Sequence, residues 1–459
     1  MGRLSKERKT PMHRFHYVAF DAAVGAAMAL LAISQPLAPL ISAATASPSK
    51  DSSATYRELQ LFGKVFDVVR RDYVEKPNSA KLIQSAIKGM INSLDPHSNY
   101  MDAGNYKEMQ VDTKGEFGGL GMEVTTENNA IKVVSAIDDT PAAKAGILPE
   151  DIITQVDGKS VNALPLATVV AELRGPPGSK VTLGIQRANV AKPMVLTLTR
   201  EVIKVRPVSY RVEGGNVGYI RIREFNALTT EELTNAIKTL SATIPAARMK
   251  GYILDLRNNP GGLLDQAIGV AGDFLSRGEI VSTRGRDSDE DQRFFAKPGD
   301  LIHGKPLIVL INGGSASASE IVAGALQDQR RATILGTRSF GKGSVQTIIP
   351  LGAGNGALRP TTARYYTPFG RSIQAEGITP DIRVIQRVPS DLQAKQFEVS
   401  EASLPRHFRA QGKEAKGSQS YVPSKPKDDD ALQTALALLR GTRGDPDFPP
   451  KTPQQATAH

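Results

Sequence analysis

The sequence predicts an α/β fold in which a layered domain surrounds a buried, mostly parallel sheet. From Val217 onward, apolar strand patterns such as VGYIRI, YILDL and PLIVLI alternate with helical patterns. Continuous apolar strands separated by helices are typical of a parallel sheet that is covered on both faces. Residues 115–200 instead show short alternating strands with turn residues between them, which is typical of a small β-rich domain. We therefore expect two folded domains.

The rest of the chain is assigned from periodicity and composition. Apolar residues recur at helical spacing in residues 55–94, which predicts two amphipathic helices. Residues 388–429 are polar, charged and poor in large apolar side chains, so we expect this segment to be mobile. The predicted segments are a leader (1–46), a linker (47–54), a helical segment (55–114), a β-rich module (115–200), the α/β domain (201–387), the mobile segment (388–429), a short helix (430–441) and a tail (442–459).

The leader has the pattern of an export signal. Basic residues between Arg3 and Arg14 precede the apolar run YVAFDAAVGAAMALLAI, and small residues follow near Ala44–Ala46. The alternative is a permanent membrane anchor, but Asp21 interrupts an apolar run that is already shorter than the roughly 20 residues that span a bilayer. We expect an exported, periplasmic protein, which is associated with the inner membrane if the leader is retained.

The composition excludes several classes of function. The chain has no cysteine, which rules out thiol catalysis and cysteine-ligated metals. The net charge of +10 invites a nucleic-acid partner, but the basic residues are scattered and tryptophan is absent, so we expect none. His97, His303 and His407 lie in unrelated contexts without metal-binding spacing. We therefore expect neither a metal nor a cofactor.

The segment NGGSASASEIVAGALQD, residues 312–328, follows an apolar strand and opens a helical pattern. A serine at a helix start lies near free N–H groups and the positive end of the helix dipole, which favour developing negative charge. The alternative is a helix cap, since Ser317 and Glu320 match the S-x-x-E capping box. From this segment alone, the cap is the better interpretation.

A lysine further along the chain favours the nucleophile over the helix cap. Lys342 lies between two glycines in FGKGSVQ, and glycines let the backbone approach another element closely. A lysine can remove the proton of a serine hydroxyl if it is neutral, which requires its pKa to fall from about 10.4 to about 7–8. Burial produces such a shift, so we predict that this amine is desolvated.

The loop in YILDLRNNPGG supplies candidate electrophilic groups. The amides of Gly261 and Gly262, together with the N–H of Ala318, could bind the oxyanion of a tetrahedral intermediate. The sequence does not choose between the two glycines. The alternatives are a plain tight turn and a phosphate-binding loop, but the spacing of nucleotide-binding motifs is absent.

GGSASASEI, FGKGSVQ and DLRNNPGG together resemble the carboxyl-terminal processing peptidases, also called tail-specific proteases. LDPHSNYM, FGGLGMEV and TPDI extend the resemblance to residues 55–387. The resemblance implies a crotonase/ClpP-like α/β core. One departure is Pro260, which stands where the family often has a glycine and which lacks an N–H.

The resemblance also implies residue roles. Ser317 would be the nucleophile rather than Ser315 or Ser319, and Lys342 would be the general base. Gln346 would orient the lysine. Asp328 matches an acidic family position with a structural role.

FGGLGMEV resembles the carboxylate-binding loop of PDZ domains. The N–H groups of Gly119, Leu120 and Gly121 would hold the C-terminal carboxylate of a peptide that adds to the module as a strand. Arg174, in ELRGPPG, is expected to be exposed. It would couple peptide binding to the active site, although a solvated arginine at a helix end is the plainer interpretation.

The first functional hypothesis is an exported serine endopeptidase that recognises the C-terminal tails of protein or peptide substrates and cleaves upstream of them. The second is a crotonase-type acyl-CoA enzyme that uses the same glycine loops to stabilise an enolate. The third is a non-catalytic PDZ scaffold. An adaptor or activator protein, a homo-oligomer and the physiological substrate are left open.

Overall fold

The computed structural model describes residues 50–127, 129–188, 190, 192–352, 354–389 and 398–451. The predicted leader lies outside the described residues. The chain divides into two units between Gln84 and Ser85. Among the helices in the described ranges, none is both long and apolar enough to cross a membrane.

Two helices open the described part of the chain. Helix α1 spans Lys50–Asp72 and α2 spans Ser79–Asn92. Helix α1 begins inside the predicted linker (47–54), because serine, threonine and aspartate favour helix starts as well as linkers. Strand β1 at Asn99–Met101 and helix α3 at Ala103–Lys114 follow.

The β-rich module is a small antiparallel domain. Its elements are β2 Glu116–Gly119, β3 Met122–Glu127, β4 Ala130–Ala136, α4 Pro141–Lys144, β5 Ile152–Val156, β6 Lys159–Ser160, α5 Leu166–Leu173, β7 Lys180–Gln186, β8 Met194–Thr199 and β9 Glu201–Lys204. Strands β3, β4, β5, β7 and β8 form one sheet in that order, with β3 at its edge. Strand β9 pairs with β2, so the module ends at Lys204 rather than at the predicted residue 200.

The α/β domain contains a six-stranded central sheet. In chain order, its elements are β10 Val208–Glu213, β11 Val217–Ile222, α6 Thr229–Thr243, β12 Gly251–Asp255, α7 Leu264–Gly272, β13 Glu279–Arg284, β14 Gln292–Phe295, β15 Leu307–Ile311, α8 Ala318–Asp328, β16 Thr333–Gly336, β17 Ser344–Gln346, β18 Ile349–Pro350, β19 Ala357–Arg359, β20 Thr361–Tyr366, β21 Ile382–Arg383 and α9 Asp430–Arg440. The sheet order is β10-β11-β12-β15-β16-β21, and only β10 pairs antiparallel.

Both faces of the central sheet are covered. Val309 and Ile311 of β15 pack with residues of α6, α7 and α8, whereas Ile308 and Leu310 pack with α9. The predicted buried and mostly parallel sheet is therefore confirmed. Because parallel strands end at the same edge of a sheet, the loops after β12 and β15 lie side by side. These loops carry DLRNNPGG and NGGSASAS.

Two smaller sheets contain β17, β18, β19 and β20, the four strands that come next after Lys342 in the chain. One has the order β14-β13-β20-β17, and the other has the order β1-β19-β18. Strand β1 belongs to LDPHSNYM and pairs with β19, with Asn99 opposite Arg359. This early segment is therefore built into the same part of the molecule as the lysine loop.

The described part of segment 388–429 is held by the α/β domain, in contrast to the predicted mobility. Glu401 is fully buried, and the backbone carbonyl of Gln419 accepts hydrogen bonds from the N–H of Gly313 (3.1 Å) and from Oγ1 of Thr337 (2.9 Å). Hydrogen bonds of polar side chains and backbone groups hold this segment, rather than the packing of large apolar side chains. A composition-based prediction does not detect that kind of attachment.

A buried ion cluster joins α9 to the end of β12. The guanidinium of Arg257 donates to both carboxylate oxygens of Asp255 (2.9 and 2.6 Å) and of Asp429 (2.8 Å each). All three side chains are at most 5% exposed. The neighbouring Arg257, acting against burial, holds the pKa of Asp255 below its usual range.

We predict that Arg257→Met lowers the free energy of unfolding by about 3–5 kcal/mol, because it leaves two buried carboxylates without a counter-ion. Urea denaturation measures the loss. The matched control is Arg387→Ala, which breaks an exposed ion pair with Asp430 and should change stability by no more than about 0.5 kcal/mol. Equal effects of the two substitutions would contradict the prediction.

Candidate active site

Ser317 occupies the sharp turn between β15 and α8, where it is the N-cap residue of the helix. Its backbone has φ 56° and ψ −114°. Non-glycine residues adopt such conformations at a cost of order 1–3 kcal/mol, and the strain is often found at functional sites. The residue is 7% exposed, so it is buried rather than on the surface.

Hydrogen bonds distinguish the three serines of this turn. Ser315 Oγ donates to the carbonyl of Leu256 at 2.8 Å. Ser319 Oγ donates to the carbonyl of Asn259 at 3.0 Å. Ser317 and Glu320 have the arrangement of a capping box, but the N–H of Glu320 donates to the Ser317 carbonyl at 2.8 Å, and the described residues show no side-chain cap hydrogen bond from Ser317. The two outer serines therefore fasten the turn to the DLRNNPGG loop, and Ser317 keeps a hydroxyl that is available for reaction.

The Lys342 amine is desolvated, as the sequence predicted. Its Nζ donates to Oε1 of Gln346 at 2.6 Å. The pKa of Lys342 is lowered to about 8, first by burial and second by the like charge of Arg359. Three carboxylates oppose this shift: Glu401, Glu320 and Asp95. Near pH 8 a large fraction of this amine is therefore neutral and can accept a proton.

A chain of hydrogen bonds fixes the side chain of Gln346. The Asp95 carboxylate lies 3.1 Å from Oγ1 of Thr361. Although burial raises the pKa of Asp95, hydrogen bonds, chiefly from Ser98, lower it overall, so the group is ionised at neutral pH. An ionised carboxylate only accepts, so the threonine donates to it and accepts from Nε2 of Gln346 at 3.1 Å. The amide oxygen therefore faces Lys342.

The backbones of Ser317 and Lys342 meet at the Glu320 carboxylate. Oε2 accepts from the N–H of Ser317 at 2.8 Å and from the N–H of Lys342 at 2.9 Å. The backbone nitrogens of Ser317 and Lys342 are therefore separated by at most the sum of these two distances. Among the hydrogen bonds of the described residues, the acceptor of the lysine amine is Gln346 and not the Ser317 hydroxyl. The structure brings the two residues together without a hydrogen bond between their side chains.

The glycine loop packs directly against the serine turn. Gly261 has φ 102°, and a Cβ at this position would lie 2.8 Å from Cβ of Ser317 and 3.0 Å from the backbone nitrogen of Ala318. This approach and this conformation require glycine. The N–H of Ala318, at the first helical position, has no acceptor among the described residues.

Peptide geometry separates the two glycine amides. The N–H of Gly261 donates to Oδ1 of Asn259 at 2.8 Å. The carbonyl of Gly261 accepts from the N–H of Phe225 at 2.9 Å. In a trans peptide the N–H points away from the carbonyl of the same unit, so the N–H of Gly262 points away from Phe225. Within the described residues it has no acceptor, so of the two glycine amides it is the better candidate for an oxyanion donor.

A cavity of about 440 Å³ opens beside Lys342. Its walls include Pro260, Ala316 and Phe340, and segment 398–420 contributes Val399. Most of the lining is apolar, so the cavity suits an apolar side chain of a bound peptide.

Asp328 holds a turn at the end of α8. One carboxylate oxygen accepts from the N–H of Phe369 at 3.0 Å, and the other pairs with the guanidinium of Arg371. Both oxygens of this 4% exposed residue are therefore used in structural contacts.

The predicted carboxylate-binding loop lies just before the edge strand β3. The carbonyl of Leu120 accepts from the N–H of Ala142, and that of Gly121 accepts from the N–H of Ile137, both at 2.8 Å. The N–H of Gly121 shares a peptide with the Leu120 carbonyl, so it points away from α4. Gly121 has φ 75°, and a Cβ there would lie 2.3 Å from Thr140. The turn that orients these amides therefore requires glycine.

Gly119 and Arg174, which are also predicted to belong to the peptide site, contact other parts of the β-rich module. Gly119 ends β2 and pairs with Glu201 in β9. The prediction that Arg174 is exposed is wrong. Its side chain is half-buried, and Cζ lies 4.6 Å from the centroid of the Phe117 ring. The attraction between a guanidinium and an aromatic face explains this position.

Sequence reasoning missed Glu401. One oxygen of this buried carboxylate lies 2.8 Å from Nε2 of His97, and the other accepts from Nε2 of Gln374 at 2.9 Å. A single glutamate in a polar segment gives no sequence signal that it will be buried in contact with His97 and Gln374. Asp95 organises the DPHS turn, since it accepts from two backbone N–H groups there. In the described ranges, no group of three or more acidic or histidine side chains could hold a metal.

Comparison with known families identifies three matching regions. Residues 216–384 match the model of peptidase family S41, and residues 132–187 match a PDZ domain. Residues 24–105 match the N-terminal domain of the activating protease CtpB.

The chain is also similar to individual proteins. A carboxy-terminal-processing protease of Bartonella bacilliformis is 56% identical over 415 residues, which cover 90% of this chain and 95% of the relative. A carboxyl-terminal-processing protease of Synechocystis is 38% identical over 322 residues, which cover 68% of this chain and 74% of the relative. A solved photosystem II D1 C-terminal processing protease is 30% identical, with a TM-score of 0.42, and the match covers 76% of this chain and 99% of that structure.

We predict that Arg359→Gln raises the pKa of Lys342 above the wild-type value of about 8, because it removes a like charge. NMR titration of ¹⁵N-labelled lysine side chains measures the midpoint, and Lys342→Ala identifies the signal. Arg364→Gln is the matched control, because Arg364 stacks on Phe408 and should leave the midpoint unchanged. The prediction is wrong if Arg359→Gln leaves the midpoint unchanged or lowers it.

Proposed function

Because the chain belongs to the carboxy-terminal processing proteases, serine-type peptidases of family S41 with a PDZ domain, we propose that Ser317 and Lys342 form its catalytic dyad. A protease of this family is neither the acyl-CoA enzyme nor the non-catalytic scaffold considered from the sequence. One observation carries the proposal. The backbone N–H groups of Ser317 and Lys342 bind the same carboxylate oxygen, and the pKa of this lysine is lowered to about 8.

In the proposed acylation step, the neutral Lys342 amine takes the proton of the Ser317 hydroxyl as Oγ attacks the peptide carbonyl. The lysinium then gives that proton to the leaving amine. Water hydrolyses the acyl-enzyme with Lys342 as base again. Gln346 accepts a hydrogen bond from the amine, which holds the amine in place and leaves its lone pair free to accept the serine proton. The hydrogen bond between serine and lysine forms when substrate binds, since apo catalytic contacts are often looser.

The proposed oxyanion hole consists of the N–H groups of Ala318 and Gly262. Both lack an acceptor in the described part of the chain, and both belong to backbone that is fixed by the contact of Gly261 with the serine turn. Preorganised donors of this kind are each worth roughly 3 kcal/mol of transition-state stabilisation. The core that carries them is proposed to be of the crotonase/ClpP-like type.

The PDZ domain is proposed to select substrates by their C-terminal carboxylate. Edge strand β3 accepts the tail as an added strand, and the amides at Leu120 and Gly121 bind the carboxylate. Arg174 and Phe117 lie next to this loop, so a tail that displaces the stacked pair can signal to the protease domain.

Export is part of the proposal, on the basis of the leader pattern in residues 1–46. The periplasm is the proposed location, with inner-membrane association if the leader is retained. Substrates are proteins or peptides with accessible C-termini. An adaptor or activator protein and a homo-oligomer are compatible with this function.

We expect Ser317→Ala and Lys342→Ala each to lower kcat by at least about 10⁴-fold, because each removes a member of a unit that acts together. Cleavage of a tailed protein substrate gives the rate, and a fluorophosphonate probe reports the nucleophile. Ser319→Ala is the matched control and should still be labelled. Retained cleavage by Ser317→Ala would remove the proposal.

A substrate with an amidated C-terminus should be cleaved with a higher KM than its free-acid form, because the amide has no charge for the PDZ loop to bind. A short internal peptide that does not reach the PDZ domain is the control, and amidation should leave its kinetics unchanged. Equal KM values for the free and amidated tails would exclude carboxylate selection.

A further inference from the structure

Glu320 carries a carboxylate that helix capping does not account for. It lies in the first turn of α8 and is fully buried. Its hydrogen-bond donors are three backbone N–H groups and one hydroxyl, so none of them brings a positive charge. An uncompensated buried carboxylate is costly to a folded protein, and burial raises the pKa of Glu320 to about 7.

The donors come from both halves of the proposed dyad. Oε2 accepts from the N–H of Ser317 at 2.8 Å and from the N–H of Lys342 at 2.9 Å. Oε1 accepts from the N–H of Gly341 at 2.7 Å and from Oγ of Ser339 at 2.5 Å. A capping box needs only the first of these bonds. The other three hold the loop before β17, which belongs to a different part of the chain.

Ionisation suits this task for a geometric reason. A carboxylate accepts at both oxygens, whereas a glutamine side chain turns one of them into a donor. If the amide group took the Oε1 position, it would face the N–H of Gly341, donor to donor. If it took the Oε2 position, it would oppose both Ser317 and Lys342. Hence only the charged residue satisfies all four donors.

We propose that Glu320 is a positioning residue for catalysis, which fixes the backbone of the nucleophile relative to the backbone of the base. The inference rests on the proposed dyad and adds to it a residue that touches neither substrate nor the transferred proton. Displacement of reacting groups by about 1 Å costs on the order of 10²-fold in rate, so a shared anchor for both backbones has a large effect on kcat.

The test compares Glu320→Gln and Glu320→Ala with Glu232→Gln in the full chain. Glu232 is the matched control, since it also lies in the first turn of a helix and accepts a distant backbone N–H, that of Val208 at 3.3 Å. We expect kcat to fall about 10- to 100-fold in Glu320→Gln, with KM nearly unchanged, since hydrogen bonds to charged groups are worth about one to two factors of ten. The kcat of Glu320→Ala should fall further, and Glu232→Gln should keep the wild-type kcat.

The pH profile provides a readout that a purely structural role would not change. Arg359, Glu401 and Asp95 remain around Lys342 in the variant, and only the charge of Glu320 is lost. Without that negative charge the pKa of Lys342 falls, so the acidic limb of kcat/KM should move to lower pH in Glu320→Gln. It should stay in place in Glu232→Gln.

The outcomes separate this inference from the proposed function. If Ser317→Ala cleaves substrate, the dyad fails. If Ser317→Ala is inactive but Glu320→Gln matches wild type in kcat and pH profile, only the role of Glu320 fails. Peptide binding by the PDZ domain and thermal unfolding report the folded state. Unfolding of Glu320→Gln would also overturn the inference, because the carboxylate would then serve the fold.

Discussion

The desolvation of the Lys342 amine is the constraint on which the rest of the site depends. A serine hydroxyl becomes a nucleophile only when a nearby group takes its proton, and an ammonium in water cannot do so. Burial and the like charge of Arg359 lower the pKa of the amine, and the Gln346 oxygen holds it without adding a negative charge. The carboxylates of Glu401, Glu320 and Asp95 raise the pKa of the amine, so it stays near 8 rather than falling further.

The parallel sheet explains how distant segments meet around this amine. Strands β12 and β15 are neighbours in the sheet, so the DLRNNPGG loop and the serine turn leave it side by side. Ser315 and Ser319 then bind the two together through the carbonyls of Leu256 and Asn259. Residues from two distant segments also contribute to the site, since Asp95 orients Gln346 through Thr361 and Val399 lines the cavity.

The capping and catalytic interpretations of the serine segment are compatible. Glu320 bonds to the N–H of Ser317, which is the glutamate half of a capping box, but the same oxygen also bonds to Lys342. In return, the N–H of Glu320 donates to the backbone carbonyl of Ser317 at 2.8 Å. One short segment therefore begins a helix, strains the nucleophile backbone and ties it to the base.

The sequence by itself determined the parallel sheet, the serine and lysine segments and the need for a desolvated amine, because apolar periodicity and glycine spacing are local properties. It did not determine which glycine amide is free, that Arg174 stacks on Phe117, or that Glu401 is buried. The contacts of Arg174 and Glu401 depend on partners far away in the chain, and His97 is more than 300 residues from Glu401. The free glycine amide depends on the direction of each N–H, which the folded loop sets. Hydrogen-bond direction and burial are set by three-dimensional neighbours, so only the tertiary structure decided them.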